Sequence, residues 1–250
     1  LGIDFIGGDC ITDPLPIQPT AHYSMGGIPV DKGCHVVIDS EGTKMNGFFA
    51  AGECACVSVH GGNRLGTNSL LDAVVFGERA GKSALEYAKS KDFANVNEGQ
   101  EKAKVLKKFE DIFQRDGSES YNEIRNEMKE VMMTKCGVFR DEEKLKACIE
   151  TLKGLQERFR KGKVTDKGKL FNTEIYEIME LGNMLGMARL IATAALRREE
   201  SRGGHFRTDF PKRDDEKFLH HSMVYASADG LVIKTKPVVI TKYQPEERKY

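Results

Sequence analysis

A mixed α/β chain is predicted, in which a strand–loop–helix region leads into an antiparallel helical bundle and then a small β-hairpin region. Three observations carry this. The stretch Phe48 to Gly81 passes from an apolar run (Phe48, Phe49, Ala50, Ala51) through a glycine-rich loop into an amphipathic run starting at Ser69. After the polar segment Lys91 to Gly99 the hydrophobic period becomes 3.6 and stays so as far as Arg198. Phe218 to Ala226 and Leu231 to Lys236 then flank Asp229-Gly230, a two-residue hairpin signal. The expected divisions are residues 1–91, 92–200 and 201–250.

The first division opens at Leu1 with no initiator Met, basic leader or signal-like apolar segment, so the chain reads as a piece of a longer protein. Pro14, Pro16 and Pro19 hold residues 12–20 extended and exclude helix. They deliver the polar segment Ala21-His22-Tyr23-Ser24-Met25-Gly26-Gly27, in which His22 alone fits a functional or a purely structural histidine. Val36 to Ile38 reads as a strand and Asp39 to Gly42 as a turn.

Glycines at 61, 62 and 66 allow backbone to approach a polar, partly anionic cofactor, and the following helix start presents free N–H groups. The same pattern also fits an ordinary βα turn. Ser69 with Asp72 reads as a capping box, with Asn68 as the competing cap, and the helix runs to about Lys89. Gly77 and Gly81 leave a smooth stripe on it where another element can lie close.

In the second division, Leu106, Phe109 and Phe113 make one helical stripe. Tyr121 to Met132 makes another, with a Ser120…Glu123 capping box and Gly137 as its stop. Leu145 to Phe159 makes a third. The longest helix runs from Asn172 to about Arg198, with Ile175, Ile178, Met184, Leu185, Ala188, Ile191 and Ala195 inward and Arg197-Arg198 suited to its dipole. Several such helices with short links imply an antiparallel bundle. The charged faces Glu101 to Lys108 and Asp141 to Lys146 read as solvated. Beyond the bundle, Ser201 to Pro211 is an irregular charged loop, His220 and His221 are structural, and Val238 to Thr241 is a last strand-like run.

Composition narrows the functions. Basic and acidic residues number 38 each, so the net charge is zero and nothing argues for a nucleic-acid partner. Hydrophobic content of 40% with no apolar run of about 20 residues is that of a globular chain without a bilayer-spanning segment. Cys54-Ala-Cys56 has neither redox nor zinc spacing, and the cysteines read as reduced structural thiols, pointing to a reducing compartment.

His22-Tyr23-Ser24-Met25-Gly26-Gly27, Gly52-Glu53-Cys54, His60 through Leu71 (HGGNRLGTNSLL) and Ser201 through Asp215 resemble, in order, the C-terminal half of the flavoprotein subunit of succinate dehydrogenase and fumarate reductase. The resemblance spans nearly the whole chain. It implies the C-terminal part of an FAD-binding α/β domain ahead of the bundle, and FAD-linked interconversion of succinate and fumarate. By resemblance, His22 and Arg64 hold the dicarboxylate and are the catalytic residues, with Gly66 close by; Gly52, Glu53, Asn68, Ser69 and Leu70 meet the flavin. The residue types suit those roles: Arg64 offers a permanently charged donor fork for a carboxylate, and His22 a second donor.

The implied partners are an iron–sulfur subunit and a membrane anchor subunit, which place the chain on the inner face of the cell membrane. The family's dinucleotide glycine motif, flavin-attaching histidine and proton-shuttling arginine have no match here, so the isolated chain is expected to be inactive. L-Aspartate oxidase shares the histidine and arginine motifs and is the alternative enzyme. A non-catalytic helical assembly module is the alternative of another class.

Overall fold

A computed structural model of the chain describes residues 2–17, 22–228 and 230–246. A short helix α1 (Gly2–Ile6) opens it, and the proline-rich lead continues without regular structure to residue 17. Residues 18–21, which include Pro19 of that lead and Ala21 of the polar segment after it, lie outside the described residues. Four short strands follow: β1 (Ile28–Pro29), β2 (His35–Val37), β3 (Lys44–Phe49) and β4 (Ala55–Cys56). β1 pairs parallel with β4, setting Ile28 opposite Ala55, while β2 and β3 pair antiparallel with His35 opposite Phe49. The turn joining β2 to β3 is closed by Asp39, whose Oδ1 accepts from the Thr43 N–H at 2.8 Å. Val30, Val36, Ala50 and Ala55 form a small core where the strands converge.

Helix α2 (Asn68–Lys89) ends where expected, but its start corrects the expectation of a capping box. The residue ahead of it is Thr67, left-handed at φ 65°, and no side chain caps the helix. A capping box needs the acidic side chain to reach back to the cap N–H; Asp72 is instead buried against Tyr23 and His60. Nothing lies within 4 Å of a Cβ built at Gly77 or Gly81, so the smooth stripe is open.

The bundle consists of α3 (Glu98–Phe113), α4 (Tyr121–Lys135), α5 (Glu142–Arg160) and α6 (Thr173–Arg197), with β5 (Phe139–Arg140) between α4 and α5. Asn97, Ser120, Asp141 and Asn172 cap them, each accepting from the N–H three residues on. Ile124, Leu145, Cys148, Leu152, Leu181 and Ala192 have 0% exposure at the centre of the main core. Each buried Leu or Ile contributes about 1.5–3 kcal/mol. Gly137 follows the end of α4 because a Cβ there would stand 2.3 Å from the Met133 carbonyl oxygen. On α6 the inward set differs from expectation in one residue: Ile191 is exposed, whereas Met184 packs half-buried against the core, which Leu181 and Ala192 also face. Which part of the apolar stripe is covered depends on the elements packed against α6, which periodicity does not reveal.

β6 (Phe206–Arg207) returns to pair parallel with β5, then α7 (Asp215–Phe218) leads into the hairpin of β7 (His220–Ser227) and β8 (Gly230–Pro237). Ser227 pairs with Gly230, closing the expected hairpin; Asp229 lies outside the described residues. The strand expected over Val238 to Thr241 does not form. Pro237 ends the ladder, having no N–H to donate. Arg198 does not serve the α6 dipole as expected. Its guanidinium donates to Glu200 (2.6 Å) and to the carbonyls of Phe218 (2.8 Å) and His220 (2.6 Å), tying the bundle to the hairpin. Among the described residues no helix is long and apolar enough to cross a membrane.

Candidate functional site

Three loops that carry residues singled out in the sequence meet near the start of α2. The first is the segment 22–27. Gly26 and Gly27 have φ of 112° and 109°, and a Cβ on Gly27 would stand 2.4 Å from the Cys54 carbonyl oxygen, so only glycine permits this approach. The Ile28 N–H donates to that same carbonyl at 2.9 Å. The Ser24 N–H donates to Glu53 Oε1 at 3.1 Å, which fixes the Glu53 carboxylate beside the segment. His22 is exposed, one residue from Tyr23.

The second loop runs from Gly52 to Thr67. Gly52, at φ 76°, turns the chain against α2, with Ala73 Cα 3.8 Å from the place of its Cβ. Ser58 Oγ lies 2.8 Å from His221 Nε2, which ties this loop to the hairpin and gives His221 the structural role expected of it. Burial pushes the His221 imidazole below its usual range, with Lys236 adding to the effect. Further on, the Arg64 guanidinium lies over the Tyr23 ring, 4.7 Å from its centroid. Gly66 is exposed with open space around it, and Asn68 and Ser69 are half-buried and Leu70 exposed at the uncapped start of α2.

The third loop, 201–205, supports the second. The Gly204 N–H donates to the Gly62 carbonyl at 3.0 Å, and a Cβ on Gly203 (φ 58°) would stand 2.2 Å from Gly62 backbone. That loop rests on Glu200, which is fully buried. Its carboxylate accepts from Arg202 (2.7 and 2.9 Å), Arg198 (2.6 Å) and the Asp214 N–H (2.9 Å). Burial alone would raise the Glu200 carboxyl, but these donors outweigh it and hold it below the usual carboxylate range. Asp215 extends the network to Arg202 and Arg213.

These residues suit an anionic cofactor next to a carboxylate ligand. Arg64 Nε and His60 Nδ1 are buried polar atoms without a hydrogen-bond partner. No carboxylate among the described residues forms an ion pair with Arg64, whose Nη1 donates only to the Leu65 carbonyl, at 3.2 Å. The first turn of α2 carries about half a positive charge with no side chain to satisfy it. Tyr23, Asp72 and Glu200 were missed as site residues. Only the spacing of Asp72, three residues after Ser69, hinted at it, and that hint points equally to a cap.

Residues 125–250 match the family model described as fumarate reductase flavoprotein C-term, and residues 3–70 match one described as FAD binding domain. The chain belongs to the fumarate reductase flavoprotein family. It is 40% identical over 252 residues to the fumarate reductase flavoprotein subunit of Escherichia coli (strain K12), covering 98% of this chain and 40% of that protein. It is 42% identical over 255 residues to the 8-methylmenaquinol:fumarate reductase flavoprotein subunit of Wolinella succinogenes, covering 100% and 40%. Its fold is similar to that of E. coli quinol fumarate reductase FrdA, with a TM-score of 0.88 and 37% identity over 98% of this chain and 42% of that one. The chain thus spans about 40% of the length of its curated relatives. The expected fold class and the FAD-binding segment are those of this family.

Proposed function

We propose that this chain is the C-terminal part of a catalytic flavoprotein subunit that interconverts succinate and fumarate. The observation that carries the reading is Arg64: half-buried, without a carboxylate partner, its Nε unsatisfied, and placed where the 22–27 segment meets the opening of α2. In this reading Arg64 holds one carboxylate of the dicarboxylate through its donor fork, with the Gly66 backbone beside it. His22 donates to the other end and so stabilises charge that develops on the substrate. FAD, when bound, supplies the hydride acceptor or donor. Gly52, Glu53, Asn68, Ser69 and Leu70 would line it, with Glu53 already fixed by the Ser24 N–H and the α2 dipole favouring added negative charge.

The division into residues 1–91, 92–200 and 201–250 is part of this proposal; the separate small strand core and large bundle core support it. Electrons would pass to or from quinone through an iron–sulfur subunit and a membrane anchor subunit. That assembly would hold the chain at the inner face of the cell membrane. Relatives described as quinol fumarate reductases support such partners.

Arg64→Lys in the full-length flavoprotein tests the site. Loss of the bidentate fork should lower kcat/KM with fumarate by at least about a hundredfold; near wild-type turnover would refute the role. Oxidation of L-aspartate with no activity on succinate would transfer the reading to an aspartate oxidase. The 250-residue chain alone should be colourless after dialysis against FAD-free buffer, because Leu70, Leu71 and Val74 on α2 are 69%, 61% and 70% exposed and close off no cofactor. A yellow, flavin-retaining fragment would contradict this.

A further inference from the structure

Tyr23, His60 and Asp72 have no task in the reading above, yet they form one closed cluster under Arg64. Asp72 is the buried residue of α2, 4% exposed, and its Oδ2 accepts from the Tyr23 hydroxyl at 3.3 Å and lies 3.0 Å from His60 Nε2. The Tyr23 hydroxyl and His60 Nε2 are 3.1 Å apart, and the two rings meet edge to face at 5.2 Å. Over the face of the same ring lies the Arg64 guanidinium, its central carbon 4.7 Å from the centroid. A guanidinium lying on an aromatic face has its attraction directed through the ring. Contact with a ring takes up no hydrogen-bond acceptor, so the donor fork of the guanidinium is left for a carboxylate.

Burial, and then the charge of Asp72, raise the Tyr23 hydroxyl above its ordinary value, so Tyr23 stays a donor to Asp72 at working pH. Three long-range links therefore converge on one side chain. Asp72 belongs to α2, Tyr23 to the segment that carries His22, and His60 and Arg64 to the glycine-rich loop. A cap or a core contact would need only one of them.

We propose that Tyr23 and Asp72 are positioning residues for Arg64: the buried Asp72 carboxylate fixes the Tyr23 ring through its hydroxyl, and the ring face holds the guanidinium in the plane required to grip a dicarboxylate. The inference rests on the proposed role of Arg64 and adds what orients it. His60 bridges the two, its Nε2 lying within hydrogen-bond distance of both the Tyr23 hydroxyl and Asp72 Oδ2, the oxygen that Tyr23 also meets. Because Tyr23 adjoins His22, the same anchor holds the backbone that carries His22.

The test uses the full-length flavoprotein in its assembled complex, with activity expressed per bound flavin. KM and kcat for fumarate are measured for Tyr23→Phe, Tyr23→Leu, Asp72→Asn, Arg64→Lys and the double variant Tyr23→Leu with Arg64→Lys. Losing the ring should lower kcat/KM by about three- to thirty-fold, mainly through KM. Tyr23→Phe, which keeps the ring and loses the tether, should fall less than Tyr23→Leu, and so should Asp72→Asn. The double variant should be no worse than Arg64→Lys, because Tyr23 acts only through that guanidinium. A structural role would lower flavin content or yield while leaving KM, and kcat per bound flavin, unchanged. That result, or losses that multiply in the double variant, overturns the inference. If Tyr23→Leu does not assemble, a wild-type KM in both Tyr23→Phe and Asp72→Asn overturns it equally. Full activity in Arg64→Lys would instead bring down the reading of the site itself, so the two failures are told apart.

Discussion

Replacing Arg207 by leucine removes a buried cation that the C-terminal end of α6 depends on. Arg207 is 1% exposed. Its fork grips Asp209 through Nε to Oδ1 at 2.8 Å and Nη2 to Oδ2 at 2.7 Å. Nη1 donates to the carbonyls of Ala195, Leu196 and Arg198 at 3.3, 3.0 and 3.3 Å, satisfying groups that the helix end leaves open. Deleting one partner of a buried pair costs about 3–5 kcal/mol. Asp209 is itself 28% exposed and can rehydrate, so the lower end, about 3 kcal/mol, applies. For a chain of this size that is a fall in Tm of roughly 6–12 °C.

Thermal unfolding followed by circular dichroism near neutral pH measures it. Arg207→Leu with Asp209→Leu should recover part of the loss, since no charge is then stranded. The acid limb gives a second check. The Arg207 hydrogen bonds, outweighing burial, hold the Asp209 carboxyl down at about 2, against 3.8 ordinarily. The stability from this depression is fully present above about pH 4 and is lost as pH falls towards 2, and Arg207→Leu should abolish that window. A loss under 1 kcal/mol (on the order of an ordinary hydrogen bond), or a double variant worse than the sum, would refute the account.

His205 gives a milder pH dependence of its own. Its Nε2 donates to the Arg198 carbonyl at 3.0 Å, so its Nδ1 is the acceptor for Arg140 Nη1 at 2.9 Å, and protonation would set two donors against each other. Burial, with Arg140, Arg198 and Arg207 nearby, pulls this imidazole from 6.5 to about 4. The folded state therefore binds fewer protons than the unfolded one, and stability should fall as pH drops from about 6.5 to 4, by about 2 kcal/mol after allowing for solvent access. His205→Asn should flatten that limb in denaturant titrations, and an unchanged slope would contradict the assigned tautomer. Gly203→Ala should cost more than Gly61→Ala, although both have positive φ (58° and 60°), because only the first drives a Cβ into backbone, 2.2 Å from Gly62. Denaturation midpoints, with KM for fumarate in the full-length protein, compare them; equal effects would mean that the 201–205 loop does not support Arg64.

Much of the fold was legible because it is set locally. Ser120 and Asn172 cap helices that their own neighbours announce, and the 3.6 period of Leu145, Cys148, Leu152 and Leu155 marks a buried face without reference to other elements. The same local reasoning failed where distant groups compete. Ile191 fits the apolar period of α6 yet is 44% exposed, since which part of a wide stripe is covered depends on the helix opposite. Val238 to Thr241 has the composition of a strand but, among the described residues, pairs with none beyond the ladder that ends at Pro237.

The site divides the same way. The sequence by itself determined which residue types are present and in what order: a glycine-rich loop opening a helix, an arginine within it, and a histidine-tyrosine pair behind a stiff lead. Only the tertiary structure decided that Asp72 is an anchor and not a cap, that Tyr23 lies beneath Arg64, and that Glu200 carries the loop behind them. A capping box and a buried acid cluster look alike over four residues. What separates them is whether donors from positions far along the chain arrive to compensate a buried charge, and that is a property of packing alone.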